Sequence, residues 1–225
     1  MEKTKDLVII GNGETALLAY EYFTNDSCYN VVAFSVDREY IKESLINNLP
    51  VIPFDEVTIK YPPTTYEAFC AVSSTNLNTI REGLFKRVKQ NGYKLATYVS
   101  TRAYIPSPEK TEIGENCFIM EYAIVQPFVT IGNDVTIWGN THIGHSSNIG
   151  DHCFLAGHIV VSGYVNIGRN CFVGGNASFA NNINVGEYSL IGMSATILKD
   201  VEPYSIYKAK HAVKQVINTK QLYKI

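Results

Sequence analysis

Four of the five histidines in the chain lie within one short segment, THIGHSSNIGDHCFLAGH at 141–158. They are His142, His145, His152 and His158. Imidazole can accept a proton near neutral pH, and it is also a common zinc ligand. The segment therefore predicts a general base, a metal site or a group of solvated side chains. Which of these applies depends on the elements that position the four rings.

A glycine-rich loop, GNGETA at 11–16, offers a second kind of chemistry. It follows an apolar run and precedes an amphipathic one, so it is predicted to join a strand to a helix. Glycine lets a backbone approach a phosphate closely, and a helix N-terminus favours negative charge. Asp37 stands at the end of the next apolar run, where a carboxylate can bind a ribose. A purely structural turn remains the alternative for this loop.

Composition and charge narrow the class of protein. The 225 residues are 46% hydrophobic and 18% charged, with a net charge of −2. This charge gives no electrostatic reason to expect nucleic acid or an anionic membrane as a partner. No apolar run reaches the roughly 18 residues of a membrane span, and the prediction is a cytoplasmic protein. The five cysteines include no CxxC pair, which argues against a zinc ribbon.

Residues 1–99 alternate between strand-like and helix-like segments. In chain order, the predicted elements are a strand at 6–11, a helix at 14–23, strands at 29–37, 49–54 and 66–72, a helix within 73–93 and a closing segment at 94–100. Such alternation predicts an α/β domain with a small, mainly parallel, Rossmann-like sheet and flanking helices.

After residue 110 a period of six replaces the helical period. Every sixth residue is apolar without one insertion: Ile113, Ile119, Val125, Ile131, Ile137, Ile143, Ile149, Leu155, Val161, Ile167, Val173, Phe179, Val185, Ile191 and Ile197. A hexapeptide repeat is typical of a parallel β-helix, in which stacked short strands bury a continuous core. Three hexapeptides make one triangular turn, so the repeat predicts about five turns.

The repeat also predicts where each histidine lies on the triangular coil. His142 ends the face that begins at Ile137, and His145 lies just past the next corner. His158 occupies the same face as His142, one turn further along. These three are predicted to gather about one corner, whereas His152 belongs to a third face and is predicted to point to solvent.

The glycine loop and α/β domain, followed by unbroken [IV]-G-x-x-x-x repeats, resemble the NeuD/PglD-like nucleotide-sugar acetyltransferases. The resemblance covers about residues 5–205. It implies a nucleotide-sugar-binding domain at 1–99, a left-handed parallel β-helix at 100–202 and a tail at 203–225 that covers the end of the coil. It also implies a homotrimer, with acetyl-CoA in the groove between neighbouring coils and the nucleotide sugar held mainly by the N-terminal domain.

The activity implied by the resemblance is N-acetylation of a nucleotide-linked 4-amino-4,6-dideoxy or 3-amino-3,6-dideoxy hexose. Such sugars serve surface glycans of the O-antigen or lipopolysaccharide type. Aligning HIGHSSNIGDHCF to the family pattern IxH-(D/E)-x-x-IG places His145 as general base. The family usually follows that base with a carboxylate, but this chain has Ser146. The imidazole would then be held by Ser146, Asn140, a backbone carbonyl or His142, the second predicted catalytic residue.

The remaining site residues also follow from the resemblance. The substrate-binding candidates are Gly11, Asn12, Gly13, Glu14, Asp37 and Ser73, although the family usually has Gly-Asn where this chain has Ser73 and Ser74. The acetyl-CoA candidates are Phe154, His158, Gly163, Gly175 and Met193. No metal, nucleic acid or membrane is expected as a partner.

Two other functions remain open at this point. A sialic-acid-type O-acetyltransferase needs a base of the same kind and differs in its acceptor. A zinc protein like the γ-class carbonic anhydrases uses the same β-helix and three histidine ligands. Against the zinc protein stands the α/β domain at the front of the chain, which has no role in CO₂ hydration.

Overall fold

The computed structural model describes residues 2–210, 212–214 and 216–223. The N-terminal sheet contains β1 (Lys5–Ile10), β2 (Tyr29–Val36), β3 (Leu45–Ile46), β4 (Leu49–Pro53) and β5 (Glu67–Cys70). Its helices are α1 (Glu14–Asn25), α2 (Val57–Lys60) and α3 (Thr79–Gln90). The strand order is β3–β4–β2–β1–β5, in which β3 is antiparallel to β4 and the other pairs are parallel. This arrangement confirms the predicted Rossmann-like sheet.

Strand β1, which lies between β2 and β5, is buried on both faces. Leu7 and Ile9 pack into one apolar cluster, and Val8 and Ile10 pack into a second cluster on the other side. A parallel strand covered on both faces has no solvated side, which explains why 7–10 is a continuous apolar run rather than an alternating one. No helix within the described ranges is long and apolar enough to cross a membrane.

A leading two-residue strand and fifteen further two-residue strands build the coil. They are β6 (Tyr98–Val99) as a leading strand, then β7 (Glu112–Ile113), β8 (Phe118–Ile119), β9 (Ile124–Val125), β10 (Thr130–Ile131), β11 (Thr136–Ile137), β12 (His142–Ile143), β13 (Asn148–Ile149), β14 (Phe154–Leu155), β15 (Val160–Val161), β16 (Asn166–Ile167), β17 (Phe172–Val173), β18 (Ser178–Phe179), β19 (Asn184–Val185), β20 (Leu190–Ile191) and β21 (Thr196–Ile197). The second residue of each strand from β7 to β21 is a predicted core position, and all but Ile113 are buried. The predicted left-handed parallel β-helix is confirmed.

The coil has three faces, each with five of these strands. The first face contains β7, β10, β13, β16 and β19, the second β8, β11, β14, β17 and β20, and the third β9, β12, β15, β18 and β21. We name each edge between two faces after a feature that lies on it: the docked N-terminal domain, Trp138 or His145. The docking edge joins the first and second faces (114–117, 132–135, 150–153, 168–171 and 186–189). The tryptophan edge joins the second and third (120–123, 138–141, 156–159, 174–177 and 192–195), and the histidine edge joins the third and first (126–129, 144–147, 162–165 and 180–183).

The segments at the two ends of the coil differ from the predicted division of the chain. Residues 98–99 were predicted to close the N-terminal half, but β6 pairs with β8 on the second face, so this strand belongs to the coil. Leu95 still forms a parallel bridge with Ala68 of the N-terminal sheet. The segment therefore runs directly from one unit to the other.

Beyond residue 200 the chain adds another strand to the coil before it leaves. This strand, β22 (Ile206–Tyr207), pairs with β20, and Val201 bridges Val185. A short helix, α4 (Thr219–Tyr223), follows. His211, Gln215 and residues 224–225 lie outside the described residues. That the tail at 203–225 covers the coil end stays a prediction.

Candidate functional site

His145 lies on the histidine edge, and its backbone is fixed on both sides. Its N–H donates to Gln126 Oε1 at 2.9 Å, and its carbonyl accepts from the N–H of Tyr164 at 3.0 Å. The imidazole stands edge-on to the Tyr164 ring, with centroids 5.0 Å apart and planes at 88°. It also covers Gly163, where an added Cβ would lie 2.8 Å from Nε2.

The imidazole of His145 is held by contact rather than by hydrogen bonds. Neither ring nitrogen bonds to any described residue, and the same is true of the Ser146 hydroxyl next to it. Four groups were expected to hold the ring: Ser146, Asn140, His142 or a backbone carbonyl. Within the described residues of one chain, none of them bonds to it. Both nitrogens remain available to a substrate.

The prediction that three histidines meet at one corner is wrong. His142 lies on the third face, stacked between Ile124 and Val160, and its buried Nε2 has no hydrogen-bond partner among the described residues. His158 lies on the tryptophan edge, at the opposite end of that face from His145. Within the described part of the chain, no group of three His, Cys, Asp or Glu side chains is placed to hold a metal ion. The described residues of one chain therefore do not form a three-ligand zinc site.

The prediction that His152 points to solvent is also wrong. His152 is buried on the docking edge, where its Nδ1 lies 2.8 Å from Asp134 Oδ2 and its ring packs edge-on against Phe85. Arg81 of α3 forms a buried ion pair with the same carboxylate at 3.0 Å. The N-terminal domain covers this edge, so His152 is an interface residue and not a solvated one.

A cavity of about 300 Å³ lies between the N-terminal domain and the second face of the coil. It brings together Glu14, Ser73 and Phe154, three predicted site residues that are far apart in sequence. Its wall is largely apolar, and buried polar groups line it on one side. The apolar lining includes Leu18, Phe69, Val72, Phe118, Met120 and Trp138, and the buried polar lining comprises Arg81, Asn116 and Asp134.

A second cavity of about 300 Å³ lies at the carboxyl ends of β1 and β2. Gly11 and Asp37, two further predicted site residues, line it. So does Ser35, whose buried hydroxyl oxygen has no hydrogen-bond partner among the described residues. Arg87 makes two hydrogen bonds to Asp37, at 2.6 and 2.9 Å, and these hold the pKa of the Asp37 carboxyl below its ordinary value. A ligand would therefore meet an ion pair at this cavity.

The glycine loop has a structural role at Gly11 and leads into the uncapped start of α1. Gly11 has φ of 137°, and a Cβ there would lie 2.4 Å from the carbonyl oxygen of Ala71. Close passage of β1 beside the end of β5 is enough to require this glycine. Asn12 donates to the Tyr40 carbonyl at 2.8 Å, and Gly13 precedes α1 without a side-chain cap. The first amides of α1 thus stand open beside the cavity that Glu14 lines.

The predicted acetyl-CoA residues fall into three places. His158, Gly175 and Met193 all lie on the tryptophan edge, where Met193 follows Gly175 by one turn and His158 is offset by one residue. Gly163 lies on the histidine edge beneath His145, and its N–H donates to Asn181 Oδ1 at 3.0 Å. Phe154 lies on the second face in the interdomain cavity, stacked on Phe172.

The interdomain cavity and His145 lie on opposite sides of the coil. The cavity opens on the second face, and the histidine edge is the edge where the other two faces meet. In a triangular coil that edge faces away from the second face. One chain therefore cannot bring its own His145 to a ligand in its own cavity.

Some site residues had no signal in the sequence. Arg81 and Asn116 lie on α3 and on the docking edge and read as ordinary surface residues, because their burial depends on how the two units dock. Tyr164 occupies a turn position of the repeat, and its contact with His145 becomes predictable only when the 18-residue stacking is followed from 145 to 163–164.

Comparisons with known proteins agree on the fold. The family model described as bacterial transferase hexapeptide (six repeats) matches residues 110–145. No curated protein matches the chain by sequence.

Among solved structures, the acetyltransferase domain of PglB from Neisseria gonorrhoeae is 21% identical with a TM-score of 0.79, covering 90% of this chain and 96% of that domain. PerB from Caulobacter crescentus, solved with CoA and GDP-perosamine, is 20% identical with a TM-score of 0.78 and coverages of 89% and 92%. A histidine-to-alanine mutant of GDP-perosamine N-acetyltransferase from the same organism is 18% identical with a TM-score of 0.65 and the same coverages. The chain therefore has the two-part fold of these proteins along almost its whole length.

Proposed function

We propose that this protein is an acetyl-CoA-dependent N-acetyltransferase for the amine of a nucleotide-linked amino-deoxy sugar. The observation that carries the proposal is the pairing of two units: a domain with cavities at its strand ends, and a coil with an unbonded imidazole on one edge. PerB, whose structure contains CoA and GDP-perosamine, is similar in fold over 89% of this chain.

The two cavities suit different parts of such an acceptor. The second cavity, with the Ser35 hydroxyl and the Asp37–Arg87 pair, offers polar groups in an apolar pocket for a nucleoside. The open amides at the start of α1 suit the diphosphate, because a helix N-terminus favours anions. The interdomain cavity would then take the sugar, whose deoxy positions suit its apolar wall.

The reaction requires the amine to lose a proton as it attacks. The amine nitrogen forms a bond to the thioester carbonyl carbon, and its proton passes to His145. The C–S bond then breaks, and CoA leaves as a thiol after it takes a proton back from the imidazolium. Because neither ring nitrogen bonds to a described residue, His145 is free to take the proton from the amine and to return it to the departing sulfur.

A homotrimer would complete the site. Since His145 faces away from the cavity of its own chain, the proposal assigns it to the cavity of a neighbouring copy. Acetyl-CoA would lie between the copies, against His158, Gly175 and Met193 of the tryptophan edge. A cytoplasmic location and a role in surface-glycan synthesis belong to the same proposal.

A substrate panel tests the activity. UDP-, dTDP- and GDP-linked amino sugars are incubated with acetyl-CoA, and release of the CoA thiol is followed. We expect one nucleotide series to turn over. With an amine acceptor the rate should keep rising with pH as the ammonium deprotonates, whereas a hydroxyl acceptor would follow the histidine alone. Turnover of a hydroxyl sugar, and of no amino sugar, would replace the proposal by O-acetylation.

The base is tested by His145→Ala. We expect kcat to fall at least ~10²-fold, the size of effect typical of a lost general base, with acetyl-CoA binding little changed. Ser146→Ala is the matched control, because its hydroxyl bonds to no described residue, and it should keep kcat within about threefold. Unchanged turnover in His145→Ala would remove the base assignment.

A further inference from the structure

We propose that Tyr164 is a positioning residue for His145, and that its aromatic ring takes the place of a hydrogen-bonding carboxylate. The kinetic effects expected below rest on the proposed function. The contact between the Tyr164 ring and the His145 imidazole does not depend on that function.

The contacts around the imidazole leave Tyr164 as the group that determines its orientation. Edge-to-face packing at 5.0 Å and 88° is a favoured arrangement for two aromatic rings. Gly163 supplies a flat floor, since no Cβ intervenes between its backbone and Nε2. Because the His145 carbonyl accepts from the Tyr164 N–H, the two residues are also fixed to each other through their backbones. The imidazole is thus confined on two sides without a hydrogen bond.

The backbone at Tyr164 has a conformation that bulky residues seldom adopt. Its φ is 60°, in the left-handed region that asparagine tolerates better than bulky residues do. Asparagine holds the equivalent position in the next turn, at Asn182. The other Phe and Tyr residues with positive φ in the coil are Tyr122, which is exposed, Phe128, which meets the Lys110 ammonium, and the pair Tyr188 and Tyr204, which stack on each other. The neighbour of Tyr164 is His145.

The Tyr164 ring also lies on a surface that a second copy of the chain would contact at a shared site. Tyr164 is 54% exposed although it packs on the imidazole, so it forms part of the outer surface of the histidine edge. A second copy that delivers its cavity to His145 would therefore meet both rings. This placement lets Tyr164 hold the imidazole without covering its nitrogens.

The test compares three variants of the full-length protein. Tyr164→Asn removes the ring while suiting the left-handed backbone, so folding should be retained. Tyr164→Phe keeps the ring and removes the hydroxyl. Tyr204→Asn is the matched control, because Tyr204 has the same backbone conformation (φ 59°) but continues the docking edge, away from His145.

We expect Tyr164→Asn to lower kcat roughly tenfold to a hundredfold, the cost of misplacing a reacting group by about 1 Å, with KM for acetyl-CoA within about twofold. Tyr164→Phe should keep wild-type kcat, and so should Tyr204→Asn. Equal losses in the Asn and Phe variants would mean that the hydroxyl contacts the substrate, and they would overturn the positioning role. An unchanged kcat in Tyr164→Asn, where His145→Ala is inactive, would overturn it as well.

A spectroscopic measurement separates this inference from the proposed function. The ring protons of His145, assigned by their loss in His145→Ala, should shift in Tyr164→Asn because the ring current of the tyrosine is gone. They should stay in place in Tyr164→Phe and in Tyr204→Asn. A resonance that does not move in Tyr164→Asn refutes the contact, whatever reaction the protein catalyses.

Discussion

At the scale of single residues, the main feature of the site is that the imidazole of His145 has few neighbours in its own chain. Two neighbours from the next turn, Gly163 and Tyr164, contact it, and each does so because residues 18 apart in sequence stack. The family resemblance predicts Gly163 as an acetyl-CoA residue. The structure adds a physical reason: a side chain at 163 would occupy the space of the imidazole.

Gly163→Ala should therefore damage the site selectively. The glycine has no left-handed φ, so the backbone accepts alanine, and the three atoms closest to the added Cβ all belong to His145, at 2.8–3.3 Å. We expect the imidazole to move and kcat to fall roughly tenfold to a hundredfold. The thermal unfolding midpoint checks that the fold survives. Wild-type kcat in a folded Gly163→Ala protein would mean that the position of this imidazole does not matter for turnover.

At the scale of elements, α3 joins the two units through a buried polar network. Arg81 donates from Nε to Asp134 Oδ2 and from its terminal nitrogens to Thr136 and to the carbonyls of Asp134 and Cys153. Asn116 donates to the other carboxylate oxygen of Asp134 at 2.7 Å. Because these groups also line the interdomain cavity, the network that docks the domain shapes one wall of the candidate site.

Arg81→Ala should cost far more stability than loss of an exposed ion pair. Asp134 is 1% exposed, so removal of the guanidinium leaves a buried carboxylate with fewer partners. The expected loss in the free energy of unfolding is about 3–5 kcal/mol. The matched control is Arg87→Ala, which breaks the surface pair with Asp37 and should cost about 0–1 kcal/mol. Denaturant titration measures both, and equal small losses would show that Arg81 does not hold the interface.

This interface also marks the limit of prediction from sequence. The hexapeptide period located every strand of the coil from β7 to β21, because one inward apolar residue per strand is a local requirement. The same period separated His152 from the hexapeptides of His142 and His145, yet its predicted exposure to solvent was wrong. The phase of the repeat predicts whether a side chain points into the coil or out of it. Whether an outward side chain meets solvent depends on the docking of the other unit, as His152 shows.

The candidate site was predictable to a similar extent. His145 and the loop at 11–14 carried recognisable patterns, and the structure places Glu14, Ser73 and Phe154 around one cavity. Their grouping depends on contacts between α1, β5 and the second face, which no local pattern encodes. The same holds for Tyr164, whose contact with His145 depends on stacking between turns.

At the scale of the whole molecule, acid should weaken the docking of the two units. Glu82 of α3 is buried and bonds to Lys86, Arg169 and Asn170. Although burial favours its neutral form, these bonds lower the pKa of Glu82 to about 2, from an ordinary value of 4.5. A depressed pKa means that the carboxylate stabilises the fold above its ordinary pKa and loses that effect as pH falls.

We therefore expect the stability advantage of the wild type over Glu82→Gln to shrink as pH falls from about 4.5 to about 2. Unfolding free energies at a series of pH values measure it. Glu43→Gln, on an exposed residue, serves as the control and should leave the pH dependence of the wild type nearly unchanged. A difference between wild type and Glu82→Gln that stays constant over this range would show that the ion network contributes nothing to acid stability.

The cavity and His145 of one chain lie on opposite sides of the coil, and this placement leads to a prediction about the assembly. If neighbouring copies in a trimer share each site, two different defects should complement each other. His145→Ala removes the imidazole, and Ser73→Trp fills the cavity mouth at an exposed loop residue, so each variant alone should be inactive.

Co-expressed in equal amounts, the two variants should regain roughly a quarter of wild-type activity. A working site needs an intact cavity from one copy and an intact histidine from its neighbour, and random mixing supplies each with a chance of about one half. Separately purified and mixed without exchange, they should stay inactive, which serves as the control. Co-expressed protein that forms mixed trimers but has no activity would mean that each cavity is served from within its own chain, against the geometry of the coil.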